Sequence, residues 1–160
     1  MNTRSPRTQG STGKSRPWQF MSKFTITSAD GDPYLVRWRL IQTPLFGIYL
    51  HKFLRGDSDP YVHDHPWAFV SFILRGGYVE VRRDNFTHNL HLRHIKRINV
   101  MRRDDAHYVD ALDRVPTWSL VFVGRRRRTW GFWKPKSLWD TPMQEIPDQT
   151  WVQFENWESR

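Results

Sequence analysis

The chain has 160 residues, which suits a single domain with a hydrophobic core of its own. It contains no cysteine, so a disulfide, a thiolate metal site and a cysteine nucleophile are all excluded, and a reducing, cytoplasmic location fits. An excess of 25 Lys and Arg over 16 Asp and Glu gives a net charge of +9, while no apolar stretch nears the ~20 residues that span a bilayer, so no membrane role is expected.

Residues 1–17 carry Arg4, Arg7, Lys14 and Arg16 among Ser, Thr, Gly and Pro, with no acid and, after Met1, no large apolar side chain. Such a segment buries too little surface to order itself, and it has neither the apolar core of a secretory signal nor the apolar face of a mitochondrial presequence. The expected organisation is a disordered basic tail over 1–17 and one β-rich domain over 18–160. Positive charge also collects in Arg93 to Arg103 and Arg125 to Arg128, whereas the end of the chain is acidic through Asp140, Glu145, Asp148, Glu155 and Glu158. Two readings stand open: a surface that attracts phosphates or nucleic acid, or a solvated basic surface partly neutralised by that acidic end.

From Tyr34 the chain breaks into short β-rich runs. Tyr34 to Ile41 follows the turn signal Asp30-Gly31-Asp32-Pro33, and Leu45 to Leu54 follows Pro44. In the second run Tyr49, His51 and Phe53 share a face, since strand side chains alternate. A loop at 56–60 leads to His63-Asp64-His65-Pro66-Trp67 and the strand Ala68 to Leu74. Gly76-Gly77 then predicts a hairpin to Tyr78–Arg82, because glycine accepts the positive φ of tight turns. Further strands are predicted at Leu92 to Met101, Ala106 to Ala111, Trp118 to Val123 and Thr129 to Trp133. Pro135, Pro142 and Pro147 leave only short helical turns or edge segments beyond them. Many short strands in one modest domain argue for an all-β antiparallel barrel or sandwich.

The chemistry concentrates at residues 63–67. On a regular strand His63 and His65 point to one face and can grip one metal ion, with Asp64 directed to the opposite face. With His107 from a second strand, they make a facial set for a first-row transition metal, leaving positions open for water or substrate. His51 is either a buried structural histidine or a neighbour of that set. His88, His91 and His94 sit in a polar stretch that reads as an exposed connection. Arg75 shares the parity of His63 and His65 and is a candidate substrate anchor. If alternation persists beyond Val123, two of the four arginines at 125–128 face inward, Arg126 and Arg128 being the candidates to hold a carboxylate or phosphate; otherwise all four are surface charges blunting a strand edge. Tyr49, Trp67 and Phe69 either line the cavity or pack in the core.

Gly56, His63, His65 and Gly76 or Gly77 lie at nearly the spacing of the first cupin motif, and His107 matches the histidine of the second. The chain therefore resembles the cupins. A closer resemblance is to small cupin-like proteins, many uncharacterised and several phage-encoded, with His-Asp-His-Pro-Trp (63–67), Leu-Arg-Gly-Gly-Tyr (74–78) and Gly-x-Arg-x-Arg-x-Trp-Gly-Phe (124–132), covering roughly residues 45–135. The resemblance implies a single-domain cupin-like barrel, a jelly roll or double-stranded β-helix, over 18–160 with an irregular acidic C-terminal segment, and dimerisation through its sheets. The family's usual glutamate ligand is replaced by Phe69 or Val70, which departs from the two-histidine, one-carboxylate site of 2-oxoglutarate oxygenases and is similar to three-histidine cupins such as the thiol dioxygenases.

That resemblance implies metal ligation by His63, His65 and His107, iron(II) first, with zinc, manganese or nickel able to take the same imidazoles. Two functions follow from it. One is a mononuclear metal enzyme, oxygen-using and dioxygenase-like, on a small polar or anionic substrate. The other is a non-catalytic module that binds a small ligand, or nucleic acid through its basic surface, with arginines interleaved with Trp130 and Trp133 for phosphate contact and base stacking.

Overall fold

The computed structural model describes residues 18–27, 31–57, 61–135 and 151–155. The basic segment 1–17 and most of the acidic C-terminal segment lie outside the described residues. Those that are described form strands and turns only, and among them no helix is long and apolar enough to cross a membrane. The strands in chain order are β1 (Gln19–Thr27), β2 (Pro33–Gln42), β3 (Gly47–Phe53), β4 (Val62–Asp64), β5 (Phe69–Arg75), β6 (Tyr78–Arg83), β7 (Leu90–Ile95), β8 (Ile98–Met101), β9 (Ala106–Leu112), β10 (Thr117–Val123), β11 (Gly131–Pro135) and β12 (Trp151–Glu155).

They make two six-stranded sheets, ordered β1-β2-β3-β10-β5-β8 and β12-β11-β4-β9-β6-β7, with antiparallel pairing throughout. This is an all-β, jelly-roll-like fold. Period-two burial does the sorting: in β3 the residues Tyr49, His51 and Phe53 are buried and those between are only partly so, and in β10 Thr117, Ser119, Val121 and Val123 face in. Core packing gathers in two clusters, Leu35, Phe53, Tyr78, Ile95 and Val109 in one and Tyr49, Val121 and Val123 with Trp67 and Phe69 in the other. The outer face of the first sheet leaves Phe72, Leu74, Ile98, Val100 and Phe122 exposed.

Three sequence expectations need correction. Gly76-Gly77 does not close a hairpin: β5 and β6 belong to different sheets, and the pair turns the chain from one to the other. Gly76 has φ +86°, and a Cβ there would sit 2.4 Å from Thr117 Oγ1, so the corner needs glycine on both counts. The run Leu92 to Met101 is two strands, β7 and β8, also in different sheets. Lys96-Arg97 forms the corner, where Arg97 O accepts the backbone N–H of Ile73 at 2.7 Å. Finally, the β structure begins before Tyr34: β1 pairs along β2, and its edge position leaves Phe20 and Met21 exposed, so it lacks a clean alternating signal. The C-terminal expectation of an edge segment fits β12, the outermost strand of the second sheet.

Candidate metal centre

Two rows of cross-strand neighbours build the interior. In the second sheet Phe132, His63, His107 and Arg82 are in register across β11, β4, β9 and β6. Residues directly opposite on antiparallel strands project to the same face, so pairing of His63 with His107 brings two imidazoles together that lie far apart in sequence. His65 follows at the end of β4. The ring nitrogens of His63, His65 and His107 lie within 4.8 Å of one another, and His65 Nε2 is 2.9 Å from His107 Nε2.

Burial decides their protonation. It lowers His63 to about 3, with the neighbouring His107 and Arg37 acting in the same direction, and it takes His65 well below the usual imidazole range with help from the same neighbours. Both rings are therefore neutral at pH 7 and carry a free lone pair. His107 Nδ1 is 2.8 Å from Glu80 Oε2. Burial would raise the Glu80 carboxyl, but His107, Arg82 and Asn99 outweigh it and hold the group at about 2. As an ionised carboxylate Glu80 only accepts, so His107 Nδ1 donates to it and Nε2 is the ring nitrogen that faces the other imidazoles.

The set fits a divalent metal. Two nitrogens each about 2.1 Å from one ion and at about a right angle would be about 3 Å apart, which the His65–His107 separation matches. Among the described residues, no carboxylate joins the cluster. Phe69, one of the two residues expected at the glutamate position of the resembled motif, packs its ring edge-on to His65 with centroids 4.8 Å apart.

A buried polar network holds the supporting carboxylate. Arg82 Nη2 lies 2.7 Å from Glu80 Oε1, Asn99 Nδ2 donates to Glu80 Oε2 at 2.8 Å and to the Tyr78 hydroxyl at 3.0 Å, and Arg82 Nη2 donates to Asn99 Oδ1 at 2.6 Å. Because Asn99 is on β8 and the others are on β6, the network also ties the two sheets together. Asp64 faces away from the imidazoles, as alternation requires. Fully buried, it accepts the Gly131 backbone N–H and Trp133 Nε1–H, each at 2.9 Å, and lies 3.4 Å from Arg128 Nη2. Burial raises its pKa against these partners. Its role is to fix β4, and with it both histidines, against β11.

The wall opposite is built by a row in the first sheet, in which Phe24, Arg37, His51 and Ser119 are in register across β1, β2, β3 and β10. Between the two walls is a cavity of about 530 Å³, lined by His63, His65 and His107 on one side, by Arg37, Tyr49 and His51 on the other, and by Trp67, Phe69, Trp130 and Phe132 among its aromatic residues. His51 is buried and accepts the Arg37 Nε–H at 2.8 Å, outside the imidazole cluster. The Tyr49 hydroxyl donates to Gln42 Oε1.

Other residues singled out from the sequence lie elsewhere. Arg75 is exposed at the end of β5 and does not line the cavity. Strand alternation stops at Val123, so 125–128 run irregularly behind the histidine motif, where Gly124 N–H and Arg127 N–H donate to Ala68 O and Pro66 O. Arg126 and Arg128 are partly buried there; Arg128 Nε donates to the His65 carbonyl at 3.3 Å, and neither lines the cavity. Trp130 turns inward against His65, and Trp133 lies under Arg83, whose guanidinium carbon is 4.1 Å from the ring centroid. His88, His91 and His94 are exposed; His94 Nε2 is 2.7 Å from Asp113.

Sequence reasoning missed Glu80, Arg37 and Asp57, whose Oδ2 accepts the Val109 N–H at 2.8 Å at the cavity edge. A signal existed for the first two. Glu80 shares its strand parity with Tyr78, and Arg37 with Leu35, both of which are buried.

No family model and no curated protein matches the chain. Solved structures do. Fe(II)-HppE with the alternative substrate (S)-1-HPP aligns at TM-score 0.51 and 16% identity, over 65% of this chain and 55% of that one. The polyketide cyclase RemF from Streptomyces resistomycificus aligns at TM-score 0.50 and 16% identity, over 69% of this chain and 78% of that one. A RmlC-like cupin from Shewanella frigidimarina aligns at TM-score 0.45 and 15% identity, over 68% of this chain and 86% of that one. The chain thus spans about half the length of HppE. The likeness to HppE and RemF is one of fold.

Proposed function

We propose, from the cupin-like fold and the imidazole cluster together, that the protein is a mononuclear metal enzyme, oxygen-using and dioxygenase-like, acting on a small polar or anionic substrate. The observation that carries this reading is the convergence of three imidazoles on the wall of a cavity of substrate size. His63, His65 and His107 would hold the ion, iron(II) first, with zinc, manganese or nickel as the other occupants the donor set accepts. When bound, the metal would supply Lewis-acid and redox chemistry with undiminished charge, because all its protein ligands are neutral.

The remaining work belongs to the chain. Glu80 fixes the tautomer and direction of His107. Phe69 and Trp130 close around His65 and keep bulk water from it, with ring centroids 4.8 Å and 4.6 Å away. The Fe(II) form of HppE shares the fold and supports iron as the first metal to test.

The test is elemental analysis of the protein as purified and after anaerobic loading with ferrous iron, beside the His107→Ala variant. About one metal per chain in the wild type, and none in the variant, is the expected result. Equal metal contents would overturn it.

A further inference from the structure

Arg37 is a cation with unusual surroundings. Its side chain lines the cavity, its guanidinium carbon is 5.4 Å from the Tyr49 ring centroid and 5.6 Å from that of Phe24, and its Nε–H is held by His51. Among the described residues no carboxylate forms an ion pair with it and no protein acceptor takes its terminal N–H groups. Asp57, a carboxylate that also lines the cavity, accepts the Val109 backbone N–H from the other sheet. Burial lowers the guanidinium to about 10, still far above neutrality, so the charge is present. Arg82, by contrast, meets Glu80 at 2.7 Å.

A half-buried charge with no ion pair is a cost to the fold. One that stands at a fixed place in a cavity, with its fork-shaped donors free, is an anion receptor. We infer that Arg37, oriented by His51, binds the carboxylate of a small acid whose apolar body occupies the aromatic cavity and reaches toward the imidazole wall. A single guanidinium balances one negative charge and presents two parallel N–H donors, which matches a carboxylate better than a phosphate dianion. The rest of the cavity wall is mainly apolar, including Phe24, Ile26, Phe69, Val121, Trp130 and Phe132, and favours a ring or branched hydrocarbon over a sugar or nucleotide. This deepens the enzyme reading by naming its substrate class.

The experiment is calorimetric titration of the full chain with benzoate, with benzyl alcohol as neutral control and inorganic phosphate as competitor, before and after removal of metal by chelation. Wild-type protein is expected to bind benzoate in both states. Arg37→Met should weaken it at least tenfold while leaving benzyl alcohol within about twofold, and phosphate should not displace it. As a check that does not depend on a variant folding, the Arg37 side-chain ¹⁵N resonances of the wild type should shift on adding benzoate.

Equal benzoate affinity in Arg37→Met, unmoved Arg37 resonances, or efficient displacement by phosphate would each overturn the inference. Benzoate binding that disappears with the metal would overturn the arginine site and leave the metal reading standing. Arg37-dependent binding in a protein that never takes up metal would do the reverse.

Discussion

The two walls of the cavity are built by the same device, a row of residues in register across antiparallel strands, yet they differ in how their charges are settled. On the imidazole wall the buried carboxylates have their partners: Glu80 meets His107, Arg82 and Asn99, and Asp64 meets Gly131, Trp133 and Arg128. On the opposite wall Arg37 meets aromatic faces and a neutral imidazole and, among the described residues, no carboxylate. The first arrangement presents lone pairs and suits a cation. The second presents a bare positive charge and suits an anion. A satisfied network adds rigidity, whereas an unsatisfied group is a cost to the fold that a ligand can relieve.

The contrast can be broken most directly at its strongest point. Loss of the His107 imidazole removes a ligand, so ferrous-ion affinity measured by anaerobic titration should fall by more than the roughly 100-fold upper range for outer supports. Glu80→Gln comes next. It keeps the shape but loses the charge that orients His107, and metal affinity should fall about 10- to 100-fold. Glu80→Ala should in addition lower unfolding free energy by about 3 kcal/mol in urea, because it strands the buried Arg82, while Asn99 and Asp105 partly compensate.

Arg37→Met sharpens the comparison from the other side. If that charge has no counterpart in the fold, its removal should change unfolding free energy by no more than about 1 kcal/mol, in either direction, although the side chain is half-buried. A loss near that of Glu80→Ala would mean Arg37 is held by the protein after all. Smallest of all is Arg75→Ala, at an exposed strand end: stability should stay within about 0.5 kcal/mol, with unchanged metal and benzoate titrations.

The exposed apolar residues show where local pattern misleads. Val70 and Phe72 look like core in a continuous run, but β5 alternates, and Phe72 lies 39% exposed on the outer face while Ser71 is buried among the inner residues. A run with large apolar residues at both parities, whose polar member Ser71 is the buried one, cannot reveal its inner face. In β3, where polar and apolar residues mix and burial alternates, the pattern is readable, and the inward placement of His51 follows from it.

Local periodicity determined a good deal here: strands at most of their places, His63 and His65 on one side, Asp64 on the other, and His51 turned inward. Those are statements about one strand at a time, and a strand's two faces are fixed by its own backbone. Tertiary structure alone decided which strands lie side by side and in what register. That brought His107 opposite His63, placed Glu80 behind it from 27 residues away, aligned Arg37 with His51 and left Arg126 and Arg128 outside the cavity. It also turned Gly76-Gly77 from a hairpin into a corner between sheets. Register depends on the joint burial of whole strands and the closure of two sheets on one core, and no short stretch of sequence carries that information.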